Sequence, residues 1–436
     1  MSKMGFNSSV RMLPILNMGV RGLALIGRFG LALYLAKYMS LADVGLFGLM
    51  TGAVNIMPAK TGWGMKYFLG REIVGKTGLS GGRMVRDRMT VTFMSLTTLL
   101  LIASPFALAL HLLPNAALTF LALAILILEC MACDMNIALI SMGHPLAANA
   151  LLFVRSAAWV FPVAGFGIFV PEFRTLNFIF SCWLIGLMSS FAAMLWVLRA
   201  WPLRAIMSAK IDKTWAVQTI RHGWLIYLSD ISCVGTMFLD RYVVNHFLGL
   251  SLTGVFTLYW SVANSVHTLV NAGILQVFFP QLVTMYNKGD YTGGRRFVWQ
   301  SVFKIIGLSV SLGLIAGLCF PPLLALIGKS NIVAYAPVFW VMLAGICVRL
   351  LADAADCDLA ARHLDQPWAF TNMLGVFIAF GFSVLSIKTM GFIGAGVSVI
   401  ATQSVLCLMR VWVLARMKPL KGKEAISLSL DTAEEI

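Results

Sequence analysis

Apolar residues run through this chain in long blocks, and polar residues fall in short clusters between them. Blocks of 18 residues or more recur from end to end. Each is long enough to cross about 30 Å of hydrocarbon as a helix. In lipid the backbone must satisfy its own hydrogen bonds, so unbroken apolar runs predict helices and not the alternating strands of a barrel. Breaks at Gly, Pro and charge predict twelve spans, near 12–38, 45–69, 89–112, 116–141, 146–170, 174–198, 220–248, 254–286, 297–327, 333–361, 367–388 and 392–415. The expected fold is an all-α polytopic membrane protein. Its longest connections, 70–88 and 199–219, are too short for a soluble domain.

Composition narrows the class. Of 436 residues, 59% are hydrophobic and 12% charged, with a mean hydropathy of +0.86; a soluble protein carries about a quarter charged residues. The net charge of +15 could suggest nucleic acid, but Lys and Arg sit in small clusters at the ends of apolar runs, as topology signals do. No nucleic-acid partner is expected. At the span ends and between the spans, the side holding the N-terminus collects 20 Lys and Arg, against 4 on the other side: Lys37, Arg174, Lys329 and Lys388. That asymmetry predicts cytoplasmic termini at both ends. The first apolar run contains Arg21 and Arg28 and lacks a small-residue cleavage site, so no cleavable signal peptide is expected. All eight cysteines lie in apolar segments. Cys130 and Cys133 have C-x-x-C spacing, but mid-helix and without a second ligand pair, so they read as packing residues. No metal or other cofactor is expected.

The chain also repeats itself. Leu41, Gly45, Phe47, Leu49 and Asn55 match Leu250, Gly254, Phe256, Leu258 and Asn264 at a constant offset of 209. In the same order, "GGR" at 81–83 recurs at 293–295, Pro105 answers Pro322, and "HP" at 144–145 answers "QP" at 366–367. Four matches at equivalent places predict two six-helix lobes of the same orientation, a transporter design with the substrate path between them. The expected division is an N-terminal lobe at 1–200, a cytoplasmic linker at 201–219, a C-terminal lobe at 220–417 and a cytoplasmic tail at 418–436.

Charges inside spans are costly, about 2.5–3.5 kcal/mol each at mid-helix on insertion scales, so they should face partners or water. Lys66 and Arg410 lie near span ends and are expected to snorkel to the cytoplasmic interface. Arg349 with Asp353, and Asp358 with Arg362, stand four apart and can pair. Asn264, His267 and Asn271 form a polar stripe, with His267 read as a hydrogen-bonded interior residue. Deep cations without local partners are Arg21, Arg28, Arg155 and Arg241, and a cavity lined by them suits an anion, phosphate above all. Lys60, Asn264, His267 and Arg349 are further cavity candidates. Glu129 and Asp134 are candidate sites for coupling to a proton or sodium gradient. Asp240, adjacent to Arg241 but about 100° away around the helix, is assigned to a structural pair within its own lobe.

Three stretches, "ALYLAKYMSLADVGLFGLM", "LDRYVVNHFLGLSLTGVFTLYWSVANSV" with the later "FFPQL", and "IKTMGFIGAGVSVIATQSV", resemble the Wzx-type polysaccharide transport proteins of the MATE-related superfamily. The resemblance rests most on Asp240-Arg241, Gly249, Gly254, Tyr259 and Pro280. It departs in having Phe256 where Tyr is frequent. The resemblance implies a MATE-like fold enclosing an alternately open cavity, and a non-enzymatic activity. That activity would move undecaprenyl-diphosphate-linked oligosaccharide across the bacterial inner membrane for O-antigen, exopolysaccharide or capsule synthesis. Its partners would be membrane lipids, a polysaccharide polymerase and a chain-length regulator. The alternatives are an ion-coupled drug antiporter of the MATE type, disfavoured by the arginine excess, and a membrane-embedded polymerase or ligase, disfavoured by the short outer connections. A lipid II flippase would usually carry two more helices than this chain has room for.

Overall fold

The computed structural model describes residues 8–66, 69, 73, 76, 78–109, 114–326 and 328–417. Among them the secondary structure is helical, with no strand. The long helices are α1 (Ser8–Tyr38), α2 (Leu41–Thr61), α3 (Gly78–Ala109), α4 (Ala116–Ser141), α5 (Pro145–Phe169) and α6 (Leu176–Val197). They continue as α7 (213–248), α8 (250–287), α9 (Tyr291–Leu326), α10 (Ala336–Ala361), α11 (Asp365–Met390) and α12 (Phe392–Arg416). Among the described residues nine stretches are long and apolar enough to cross a membrane, with α7 and α8 counted as one, Lys213–Asn287.

Local chemistry sets several ends. Asn115 caps α4 by accepting from the Leu118 N–H at 2.7 Å, and Thr175 caps α6 by accepting from Phe178, each satisfying a donor the helix cannot. Between α7 and α8 the turn is Gly249 alone, at φ 82° and ψ 175°, a conformation open to glycine and closed to side chains with a Cβ. Two boundaries differ from the hydropathy reading. Helix α2 stops at Thr61, not near 69, because the chain turns at Gly62–Gly64. Helix α3 begins at Gly78, eleven residues before its expected span. Its polar first turns are bonded within the protein: Arg86 donates to the carbonyls of Ile206, Ala209 and Lys210, and Asp87 accepts from the Asp212 N–H.

The chain forms two compact units. The first comprises 1–39 and 53–227, the second 40–52 and 228–436, so α2 contributes to both. In the first unit, α4, α5 and α6 pack around Leu139, Ala148, Leu151 and Met194, with Leu69, Ile73 and Val85 in the same cluster. In the second, α10, α11 and α12 form the densest core, and α10 carries a continuous buried face from Val338 to Leu359.

The second unit holds the aligned repeat residues against each other. A Cβ on Gly45 would strike the Leu250 carbonyl, and one on Gly254 would strike that of Leu41. One turn on, a Cβ on Gly48 would overlap Thr257. Gly45 and Gly254, Leu41 and Leu250, and Gly48 and Thr257 are each related by the offset of 209, so the Gly45–Leu250 and Gly254–Leu41 contacts are reciprocal and α2 and α8 cross with a local two-fold relation. Gly45 and Gly254 permit a backbone approach that larger side chains would forbid.

Candidate functional site

In the first unit the deep charges converge on Glu129 of α4. Helix α5 contains a π-helical turn at Val154–Ala158, a local widening often found at functional sites, and it carries Arg155. Arg155 Nη1 lies 2.7 Å from Glu129 Oε2 and 3.5 Å from Cys133 Sγ. Glu129 Oε1 accepts from Trp183 Nε1 of α6 at 3.1 Å. The ring of Trp183 is stacked on Trp159, whose own N–H is bonded to the Arg155 carbonyl. Arg155 and Glu129 are both buried. Arg155 therefore has the partner its sequence position did not reveal, and Glu129 is the acid of an ion pair.

Arg28 differs. Gly27 lets α1 approach Ala157 of the π turn closely, which sets the next residue, Arg28, within electrostatic reach of both Glu129 and Arg155. As a whole residue Arg28 is exposed. Arg155 alone is bonded to the carboxylate, and with Arg28 in electrostatic reach the two guanidinium groups and one carboxylate leave one net positive charge. Beside Arg155 a narrow cleft is lined by Asn136, Ser190 and apolar side chains of α4, α5 and α6. The side chain of Arg21 lies outside the described residues. Lys60 is exposed at the end of α2.

Asp134, the other candidate coupling acid, is also committed. Arg88 Nη2 lies 2.6 Å from its Oδ1 and Thr92 Oγ1 2.6 Å from its Oδ2, with the Arg88 and Asp134 side chains only 1% and 4% exposed. Sequence position marked Arg88 as a cytoplasmic topology charge. It belongs instead to a sealed ion pair.

The second unit holds Arg241, Asn264, His267 and Arg349. Arg241 is buried and donates through Nη1 to the Gly48 carbonyl and to Thr51 Oγ1, both at 2.9 Å, with Trp260 4.3 Å from its guanidinium carbon. Its neighbour Tyr242 donates to the Leu49 carbonyl at 3.0 Å. Arg241 was expected to lack partners; helix carbonyls and aromatic faces supply them without an acid. Asp240 accepts from the Ser383 hydroxyl within its own unit. His267 Nε2 lies 2.7 Å from Asp353 Oδ2, whereas the expected Arg349–Asp353 pair is stretched to 4.0 Å. The Asp353 side chain is 28% exposed. The side-chain amide oxygen of Asn264, Oδ1, is buried without a hydrogen bond. The Asp358–Arg362 pair forms at 2.9 Å. Arg410, expected to snorkel, is instead buried, 3.1 Å from Asp356 and bonded to Asn372 and the Ala352 carbonyl. Among the described residues no cluster of His, Cys, Asp and Glu could hold a metal ion.

No family model matches the chain, and no curated protein matches it in sequence. Solved structures match it in fold. A multidrug resistance MATE family transporter of the MOP superfamily, in its inward-facing conformation, aligns over 92% of this chain and 98% of its own, with a TM-score of 0.72 at 12% identity. An outward-facing conformation of a multidrug resistance MATE family transporter aligns over 93% and 95% at 0.61 and 12% identity. A MATE in complex with MaL6 aligns over 93% and 95% at 0.62 and 14% identity. Identities this low speak for fold alone. The chain is a multi-pass membrane protein with the fold of the MATE transporters.

Proposed function

We propose that the chain is a flippase for undecaprenyl-diphosphate-linked oligosaccharide, carrying repeat units across the bacterial inner membrane for surface polysaccharide synthesis by alternating access. In this reading the chain crosses the membrane twelve times with both termini in the cytoplasm, and acts beside a polysaccharide polymerase and a chain-length regulator. The observation that carries it is Arg28, an exposed residue whose positive charge stands in reach of an already paired Arg155–Glu129. The acid there is neutralised, so the net charge of the cluster is positive, which suits a diphosphate and repels a cationic drug. Bidentate hydrogen bonds from a guanidinium match phosphate oxygens in geometry as well as charge. Arg21 and Lys60 would extend the cationic path. Gradient coupling through Glu129 or Asp134 would require one of their ion pairs to open during the cycle.

The structural neighbours favour a second reading, an ion-coupled multidrug antiporter. One experiment separates the two. The full chain is reconstituted in proteoliposomes with the lipid-linked oligosaccharide that accumulates in a deletion strain, and arrival in the opposite leaflet is followed. The flippase reading expects transfer, reduced about 10- to 100-fold by Arg28→Ala, the loss of one charge-assisted contact. Ethidium extrusion without lipid transfer would overturn it in favour of the antiporter.

A further inference from the structure

The turn that ends α2 contains a feature the transport reading leaves unused. Trp63 adopts φ 47°, a left-handed backbone that is a genuine outlier for a bulky residue. Such strain persists only where surrounding contacts over-determine it, and it clusters at functional sites. Four contacts do so here, all within the first unit. Trp63 Nε1 donates to Ser95 Oγ of α3 at 2.7 Å. The Trp63 ring stacks on Tyr227 of α7, with centroids 5.1 Å apart and planes 18° from parallel. The Tyr227 hydroxyl donates back to the Lys60 carbonyl at 2.9 Å. The buried Arg88 donates to the preceding carbonyl, Gly62, at 3.4 Å.

A tryptophan that merely anchors a helix in the membrane interface keeps its N–H towards water and headgroups. This one has its N–H committed to Ser95 while the residue stays 37% exposed. The polar edge is engaged by the protein itself and ring surface is presented. Lys60 and Lys66, three residues to either side, are both exposed. An aromatic face offers negative quadrupole density to the polarised C–H bonds of a pyranose, and an adjacent ammonium offers donors to hydroxyls or phosphate.

We infer that Trp63, seated on Tyr227, is a saccharide-stacking platform that contributes to substrate specificity, with Lys60 beside it as the polar contact. This rests on the flippase reading and adds to it the part of the molecule that meets sugar rather than diphosphate.

The test is binding by the purified full-length protein of two probes, undecaprenyl diphosphate without sugar and the lipid-linked oligosaccharide from the deletion strain. Trp63→Asn removes the ring while tolerating the left-handed turn. Trp63→Phe keeps a face and loses the bond to Ser95. The Asn variant should raise Kd for the sugar-bearing lipid about tenfold and leave Kd for the sugar-free lipid unchanged, and the Phe variant should retain most of the sugar affinity. Equal weakening of both lipids, or none of either, would overturn the platform while leaving the flippase reading intact. A wild-type protein that binds neither lipid would overturn both.

Discussion

Removing Arg155 and removing Arg28 should leave different signatures, although both stand in reach of one carboxylate. Arg155→Ala strands Glu129 in a buried site with only Trp183 as donor. Breaking a buried pair from one side costs about 3–5 kcal/mol, so thermal unfolding in detergent should shift down sharply. Arg28→Ala alters an exposed residue and should leave the unfolding temperature nearly unchanged while lowering transport. The depth of these charges was legible in sequence, because a charge inside an apolar run is visible as such. Their pairing was not: Arg155 and Glu129 stand 26 residues apart on different helices, and no local periodicity brings them together. Arg88 was hidden for another reason. Its helix begins before the apolar run, so a residue that reads as lying outside the membrane is sealed by the protein itself.

Helix crossings were easier to read than helix ends. The repeat that aligns Gly45 with Gly254 is a one-dimensional pattern, and the structure turns it into a physical contact between those residues. Gly254→Ala should therefore cost about 1–3 kcal/mol through overpacking against the Leu41 carbonyl. Gly307 of α9 has open space around its Cβ position. Gly307→Ala should be neutral or stabilising by up to about 1 kcal/mol, since it only removes backbone freedom from the unfolded helix. Comparing the unfolding temperatures of the two variants separates crowding from propensity. The ends of α2 and α3 escaped hydropathy because they are set by side-chain to backbone bonds, such as those of Arg86 and Arg88, between segments far apart in the chain.

At the scale of the molecule, twelve apolar blocks and their charge asymmetry predicted an all-helical membrane protein, and the fold of the MATE transporters agrees with that class. Function was written less plainly, because one fold can host many functions. The division of the chain was also less simple than a cut at the linker. Residues 40–52 cluster with the second unit, held there by Arg241 and Tyr242 through the carbonyls of Gly48 and Leu49. This has a consequence for biosynthesis. When α7 leaves the ribosome, the segment that must receive the Arg241 guanidinium was made some 190 residues earlier, and it has to remain beside the insertion site until then. A fragment comprising 210–436 lacks that segment, so its arginine enters the bilayer with no carbonyl to meet it. In pulse-chase experiments the fragment made alone should be degraded quickly, and co-synthesis of 1–209 should protect it. Equal lifetimes with and without the N-terminal fragment would show that the second unit matures without borrowing from the first half of the chain.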